Sequence, residues 1–217
     1  MDRRSYNQYC GLAKSLDIVG ERWTLLIVRD LLLGPLRYSQ LLRGLPGITT
    51  NLLAKRLKEM EHLGLVERVR SRTDDSSYSY RLTTHGAALE PAVHALSRWG
   101  WRLMKQPRRG EQHSADYILV ALRALYRGRV TMRAELVIDG VPYRLVLDES
   151  KADITRGEIA SPEVRIRGTE AAIAKLFLAG TFPRGRLPSG ITVEGSVDAL
   201  RTLVSAFPAP QPLVAAE

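Results

Sequence analysis

Long apolar runs, cysteine and phenylalanine are what this sequence of 217 residues has least of. No stretch stays apolar for the roughly 20 residues that a bilayer-spanning helix needs. Met1-Asp-Arg-Arg is not followed by the apolar core of a signal peptide. The expected location is therefore the cytoplasm, with no membrane partner. The single cysteine, Cys10, excludes an intrachain disulfide framework and a cysteine zinc site. With three phenylalanines in all, a large aromatic-lined pocket is not expected. His62, His85, His94 and His113 are scattered, without HExxH or other metal-ligand spacing, and there is no GxSxG, Walker or dinucleotide glycine pattern. Asp74-Asp75 is a carboxylate pair, but it sits where Asp readily forms a turn. No catalysis, cofactor or metal is expected.

Charge is abundant, and of one sign. Against 23 acidic side chains stand 32 basic ones, a net charge of +9. Residues 1–104 hold 16 basic and 10 acidic side chains, a surplus of six, and residues 105–217 hold 16 and 13, a surplus of three. Two of those three lie in Lys105 to Ser114. The excess thus gathers in the first half and its exit, which suits a polyanion partner, although an arginine-rich coding bias gives the same count.

The stretch from Arg37 to Thr83 organises the chain. Arg37 to Leu45 reads as a short helix punctuated by Pro46-Gly47, and Ile48 to Leu63 as a second. Thr49 or Thr50 suits an N-cap, and Gly64 sits where a helix end wants positive φ. Leu53, Leu57 and Met60 fall at i, i+4, i+7 and predict the buried stripe, with Asn51, Lys55 and Lys58 at the same spacing opposite. Any surface helix shows such a polar stripe. Here a short helix and a Pro-Gly turn precede it at helix-turn-helix spacing, and Glu59 and Glu61 lie only in its second half. Leu65 to Ser71 then reads as a strand, Thr73 to Ser77 as a turn, and Tyr78 to Thr83 as the returning strand of period two. Arg68, Arg70 and Arg72 share one face of the first strand. This pattern predicts double-stranded DNA as partner. Thr50, Asn51, Lys55 and Lys58 are expected at base edges or flanking phosphates, Arg56, Arg70 and Arg72 mainly at phosphates, and Arg37 and Thr49 are expected among the DNA-binding residues as well.

Around this core, Asp2 to Tyr9 reads as frayed or as an arm. Leu12, Leu16 and Val19 mark a first helix. Arg22 to Leu33, apolar on most sides, is a buried central helix with Trp23 as a core anchor rather than a ligand contact. After the wing, Thr84 caps a long helix to about Met104, on which Ala92, Leu96, Trp99 and Leu103 form an a/d-type seam. That seam, with Leu12, is expected to make a homodimer, which would set two recognition helices about one DNA turn apart. Packing against the rest of the chain is the alternative.

Cys10, Leu16 to Leu31, Gly34, Arg37-Tyr38, Leu45-Pro-Gly-Ile48, Arg56-Leu57, Gly64-Leu-Val66, Tyr80, Leu82-Thr83 and Trp99 together resemble the HxlR family of bacterial winged-helix transcription regulators. The resemblance covers about Tyr6 to Leu103, with Tyr38 and Gln40 where relatives more often show Phe and Glu. It implies a cytoplasmic homodimer that binds operator DNA and responds to a small molecule or to oxidants. Cys10 stands where some relatives carry a redox-sensing cysteine. Sensing requires an exposed thiol of lowered pKa, and a structural or incidental Cys10 is the other reading.

Lys105 to Ser114 breaks the periodicity with Pro and Gly. Beyond it, Asp116 to Tyr126 reads as a helix. Val130 to Ile138 and Val141 to Leu147 read as a hairpin turned at Asp139-Gly140, and Val164 to Gly168 as a strand. Thr169 to Leu178 reads as a helix, Ile191 to Gly195 as a strand, and Val197 to Ala206 as a last helix capped by Ser196. This order, with Tyr143 to Val146, Pro162 to Gly168, Gly180 and Gly190 to Gly195, is similar to the sterol carrier protein type two-like domain, which implies an apolar tunnel for lipid-like ligands. Leu122, Leu136, Leu145, Phe177 and Phe182 would line such a pocket for a small apolar effector, or would equally fill a closed core.

The expected fold class is α+β, arranged as a winged helix-turn-helix DNA-binding and dimerisation domain over residues 1–104, a linker over 105–115, a sterol-carrier-like domain over 116–207 and a disordered tail over 208–217. The expected function is transcriptional regulation, as a repressor. The alternative is a lipid or small-molecule carrier whose winged domain is a protein-interaction module.

Overall fold

A largely buried stretch of the N-terminal half forms its central helix, α2 (Thr24–Leu31), in a computed structural model that describes residues 5–70, 78–104, 110–178 and 187–208. Thr24, Ile27, Val28, Asp30 and Leu31 of α2 are buried, and so is Trp23 before it. The helix starts later than Arg22 because Trp23 adopts a left-handed backbone, φ 81°, and acts as the N-cap. The Arg22 guanidinium lies over its ring at 5.0 Å. Preceding it is α1 (Gly11–Val19), which buries only Ala13 and leaves Leu12 exposed. The segment just before α1 is held: Ser5 Oγ and the Tyr6 N–H both donate to the Asp17 carboxylate at 3.0 Å.

Next come β1 (Leu36–Arg37), α3 (Tyr38–Gly44), α4 (Thr50–His62), β2 (Val66–Arg70) and β3 (Tyr78–Leu82). The three strands form one antiparallel sheet in the order β1-β3-β2, in which β2 and β3 make the wing. β1 has no sequence signature; two residues become a strand only by pairing with Tyr80 and Ser79. The turn expected at Thr73–Ser77 and Arg72 lie outside the described residues.

The single helix expected from Thr84 to Met104 is two, α5 (Thr84–Ala87) and α6 (Glu90–Trp101). Pro91 accounts for the break, because its ring would clash with the carbonyl four residues back, on Ala87. The chain divides into two compact units, Met1–Val93 and His94–Glu217, a division that falls within α6 rather than in the Pro- and Gly-containing stretch after it. In the second unit Arg98 Nη1 donates to the Ala124 carbonyl at 2.9 Å.

The second unit continues with α7 (Ala115–Leu125), β4 (Met132–Ile138), β5 (Val141–Leu147), β6 (Ala152–Arg156), β7 (Val164–Gly168), α8 (Glu170–Leu178), β8 (Ile191–Gly195) and α9 (Val197–Ser205). Its five-stranded sheet runs β6-β5-β4-β7-β8, antiparallel except for the central β4–β7 pair. Asp139 and Gly140 both take positive φ, 47° and 82°, as a two-residue primed turn demands. One face is core: Ala134, Leu145, Ile154 and Val164 stand opposite one another across four strands, and all are fully buried. The opposite face carries a cross-strand row of Thr155, Arg144, Glu135, Arg165 and Glu194. Arg144 Nε donates to Thr155 Oγ1 at 2.6 Å, Arg165 pairs with Glu135, and its Nη1 lies 2.8 Å from Glu194 Oε2. Phe207 joins Tyr126 and Phe177 in the core, with ring centroids 5.6 and 5.7 Å away.

Candidate nucleic-acid interface

Helix α4 is set by one cap and one stripe. Thr49 Oγ1 accepts the Leu52 N–H at 3.3 Å. Leu53, Leu57 and Met60 are at most 1 % exposed. Each such burial is worth about 1.5–3 kcal/mol, so the stripe fixes how α4 is rotated. Thr49, Thr50, Asn51, Lys55 and Lys58 are then exposed on the other side. Helix α3, which Gln40 caps by accepting the Arg37 N–H at 2.8 Å, holds the start of α4: the Tyr38 hydroxyl donates to the Thr50 carbonyl at 2.6 Å. Arg37 is exposed at the α3 N-terminus. Neither Tyr38 nor this bond was singled out by sequence pattern, because their spacing has no periodic signal.

The basic residues do not all behave alike. Among the described residues, Lys58 and Arg70 have no ion pair, and both are exposed. Lys55 Nζ reaches Glu59 only at 4.0 Å across an exposed helix turn, an interaction too weak to withhold it from a phosphate. Arg68 is engaged, its Nε 2.8 Å from Glu61 Oε1 and its guanidinium 5.4 Å from the Tyr80 ring centroid.

Arg56 requires a correction. Expected at a phosphate, it is 8 % exposed, with Nη2 3.0 Å from Glu21 Oε2 and Nη1 2.6 Å from Glu59 Oε2. It neutralises carboxylates inside the unit and is not presented to a partner. Its sequence position carried the signal: Arg56 follows Leu53 by three residues and precedes Met60 by four, so it lies beside the buried stripe.

Three other sets of expected residues fall elsewhere. Leu12, on α1, and Leu96, Trp99 and Leu103, on and just beyond α6, are 69, 51, 61 and 51 % exposed among the described residues. Leu122, Leu136 and Leu145 are 0 % exposed and Phe177 1 %, so none lines a space that water can enter. All four are buried side chains of the second unit. Phe182 lies outside the described residues. Cys10 immediately precedes α1 and is exposed. The N–H groups of Ala13 and then Leu12, at the start of α1, hold its thiol below the ordinary value.

A capped recognition helix, a short helix before it and a two-stranded wing behind it define a winged helix-turn-helix protein. The HxlR-like helix-turn-helix family matches residues 18–108. An uncharacterized HTH-type transcriptional regulator of Mycobacterium tuberculosis is 41 % identical over 96 residues, covering 44 % of this chain and 60 % of that protein. The chain thus spans less than two thirds of that relative's length. The HTH-type regulator YvaP of Bacillus subtilis is 38 % identical over 86 residues, 40 % of this chain and 80 % of YvaP. The solved reduced form of the transcriptional regulator YodB from B. subtilis is 29 % identical and covers 46 % of this chain and all of its own, with a TM-score of 0.39. The chain belongs to the HxlR-like helix-turn-helix family.

Proposed function

We propose that the chain is a DNA-binding transcriptional regulator, a repressor that acts as a homodimer on a palindromic operator. The observation that carries this reading is the outer face of α4, where Asn51, Lys55 and Lys58 stand exposed opposite a fully buried stripe, with Arg70 exposed on β2 of the same unit. The N-terminal half of such a helix enters the major groove, where Asn51 is suited to read adenine and the cations to meet flanking phosphates. The bare stripe on α6 supports the homodimer, since exposed leucines and a tryptophan at seam spacing are covered most simply by their own symmetry mate.

In this proposal the C-terminal unit senses an effector or supports the dimer, and its element order from α7 to α9 supports the likeness to the sterol carrier protein type two-like family. An effector acts by favouring one spacing of the two recognition helices, and a coupling of about 1–3 kcal/mol changes affinity from several-fold to about a hundredfold. A carrier with a protein-interaction wing is the competing reading. Lys58 and Arg70, exposed and without an ion pair among the described residues, favour the regulator. The test is fluorescence anisotropy on the duplex upstream of the chain's own gene, at two salt concentrations, beside a scrambled duplex. Preference for the upstream duplex by about a thousandfold or more carries the regulator. No binding to either duplex at moderate salt overturns it in favour of the carrier.

A second reading is favoured by the exposure and lowered pKa of Cys10: operator binding responds to oxidants through this thiol. Peroxide should alter the affinity of the parent and leave Cys10→Ser unchanged. Equal responses in both sink this reading.

A further inference from the structure

With the first-expected apolar residues closed in the core, the C-terminal unit still offers a cleft of about 440 Å³. Arg127, Arg129 and Val130, in the connection from α7 to β4, line one side, and Ala206 and Pro208, beyond α9, line the other. Small-molecule sites span roughly 300–1,000 Å³, so the space suits a compact ligand.

Two independent observations say what kind. The first is charge. Both arginines are exposed, no lining residue is acidic, and among the described residues neither arginine has an ion pair. The nearby Asp148 carboxylate is taken up locally by the N–H groups of Ser150 and Lys151 and by the Ser150 hydroxyl, at 2.6–2.9 Å. Glu149 comes close through its backbone, since a Cβ on Gly128 would lie 2.2 Å from its carbonyl oxygen, and its exposed carboxylate is near enough to help raise the Tyr126 hydroxyl pKa without lining the cleft. The second is backbone conformation. Gly128 and Arg129 both take positive φ, 77° and 78°. The close carbonyl requires glycine at 128; no such contact requires arginine at 129, where glycine would be the unstrained choice. A strained backbone that holds a guanidinium at a cleft is a reason to look for a function.

We propose that this cleft binds a small amphipathic carboxylate, its anionic head on Arg127 and Arg129 and its hydrocarbon body over Val130, Ala206 and Pro208. Guanidinium groups match a carboxylate in charge and in hydrogen-bonding geometry. The body, not the head, faces α9, because the carbonyl end of that helix repels anions. This deepens the effector part of the proposed function and rests on it only for the consequence at DNA.

The test uses the full chain, isotope-labelled for NMR and titrated with phenylacetate, with 2-phenylethanol and inorganic phosphate in parallel. Phenylacetate is expected to shift the amides of Gly128, Val130 and Ala206, and each control to bind at least about tenfold more weakly. Arg129→Gly is expected to bind phenylacetate at least about tenfold more weakly while melting higher than the parent, since glycine relieves the positive φ. A merely structural arginine would instead lower the melting temperature when removed. Equal binding of 2-phenylethanol or of phosphate, absence of shifts at these amides, or an Arg129→Gly variant that binds like the parent overturns the site. Anisotropy on operator DNA separates the two levels. Phenylacetate bound at the cleft without a change in DNA affinity leaves the site standing and removes its role as effector site, whereas DNA binding with no phenylacetate shifts removes the site and leaves the regulator.

Discussion

Arg56 Nη2 lies 3.0 Å from Oε2 of Glu21, a residue 35 positions earlier in the chain, and this pair anchors the recognition helix to the segment that leads into α2. Because Arg56 is 8 % exposed and also bound to Glu59, it is expected to act on stability and not on phosphate contact. Arg56→Met should lower the unfolding free energy by about 1–3 kcal/mol, the range for charged hydrogen bonds lost from a buried group. Urea unfolding measures this. The salt slope of DNA binding should stay as in the parent; a slope flatter by one unit would return Arg56 to the phosphates.

Asn51 and Arg70 should separate in the opposite sense. Asn51→Ala is expected to weaken and relax specific binding by roughly 1–3 kcal/mol, as loss of a bidentate base contact does. Arg70→Ala should weaken all sequences alike and flatten the salt slope by about one unit. Anisotropy across salt and across operator variants gives both readouts, and exchanged behaviour would refute the roles assigned to the two residues.

The α6 stripe makes a prediction about mass. Trp99 is 61 % exposed, so Trp99→Glu should leave the melting temperature of a lone chain nearly unchanged. In sedimentation the variant should run at the 24.2 kDa of a single chain where the parent runs at twice that. A variant that stays dimeric would place the interface elsewhere.

His94 links stability to pH. Burial first, and then the neighbouring Arg123 and Arg98 cations, push its pKa down to about 4 from 6.5. Between these values the unfolded chain binds the proton and the folded chain does not. The folded state therefore keeps its full stability above about pH 6.5 and loses it progressively as pH falls towards 4. Discounted for partial exposure, the loss is on the order of 1–3 kcal/mol. Urea midpoints at intervals across this range should show a flatter dependence for His94→Gln than for the parent. Parallel curves would remove His94 from the account.

How much of this was legible in the sequence depended on whether the signal was local. β5, β7 and β8 begin and end where the alternation of Val141–Leu147, Val164–Gly168 and Ile191–Gly195 predicts, because turn residues bound each run. The hairpin at Asp139-Gly140 was equally plain. β6 was not foreseen: Ala152 and Ile154 are its only core side chains, and such a short polar run becomes a strand by pairing with β5. The outer face of α4 was read from spacing, but Arg56 was assigned by its charge when its position beside Leu53 and Met60 pointed inward. Tyr38 and Glu21, which hold α4 in place, are joined to it by tertiary contacts that no period announces. The expected pocket residues carried no such signal either, since apolar residues at core spacing look the same around a tunnel and in solid packing.

The Tyr38–Thr50 hydrogen bond and the Arg56–Glu21 pair have a mechanical consequence. One fixes the N-terminal turn of α4 to α3, and the other fixes its middle to the entry of α2, so the helix has neither free pitch nor free roll. In the proposed homodimer a signal would then act by carrying the whole block nearer to or farther from its copy, and the base preference of each half-site would stay constant.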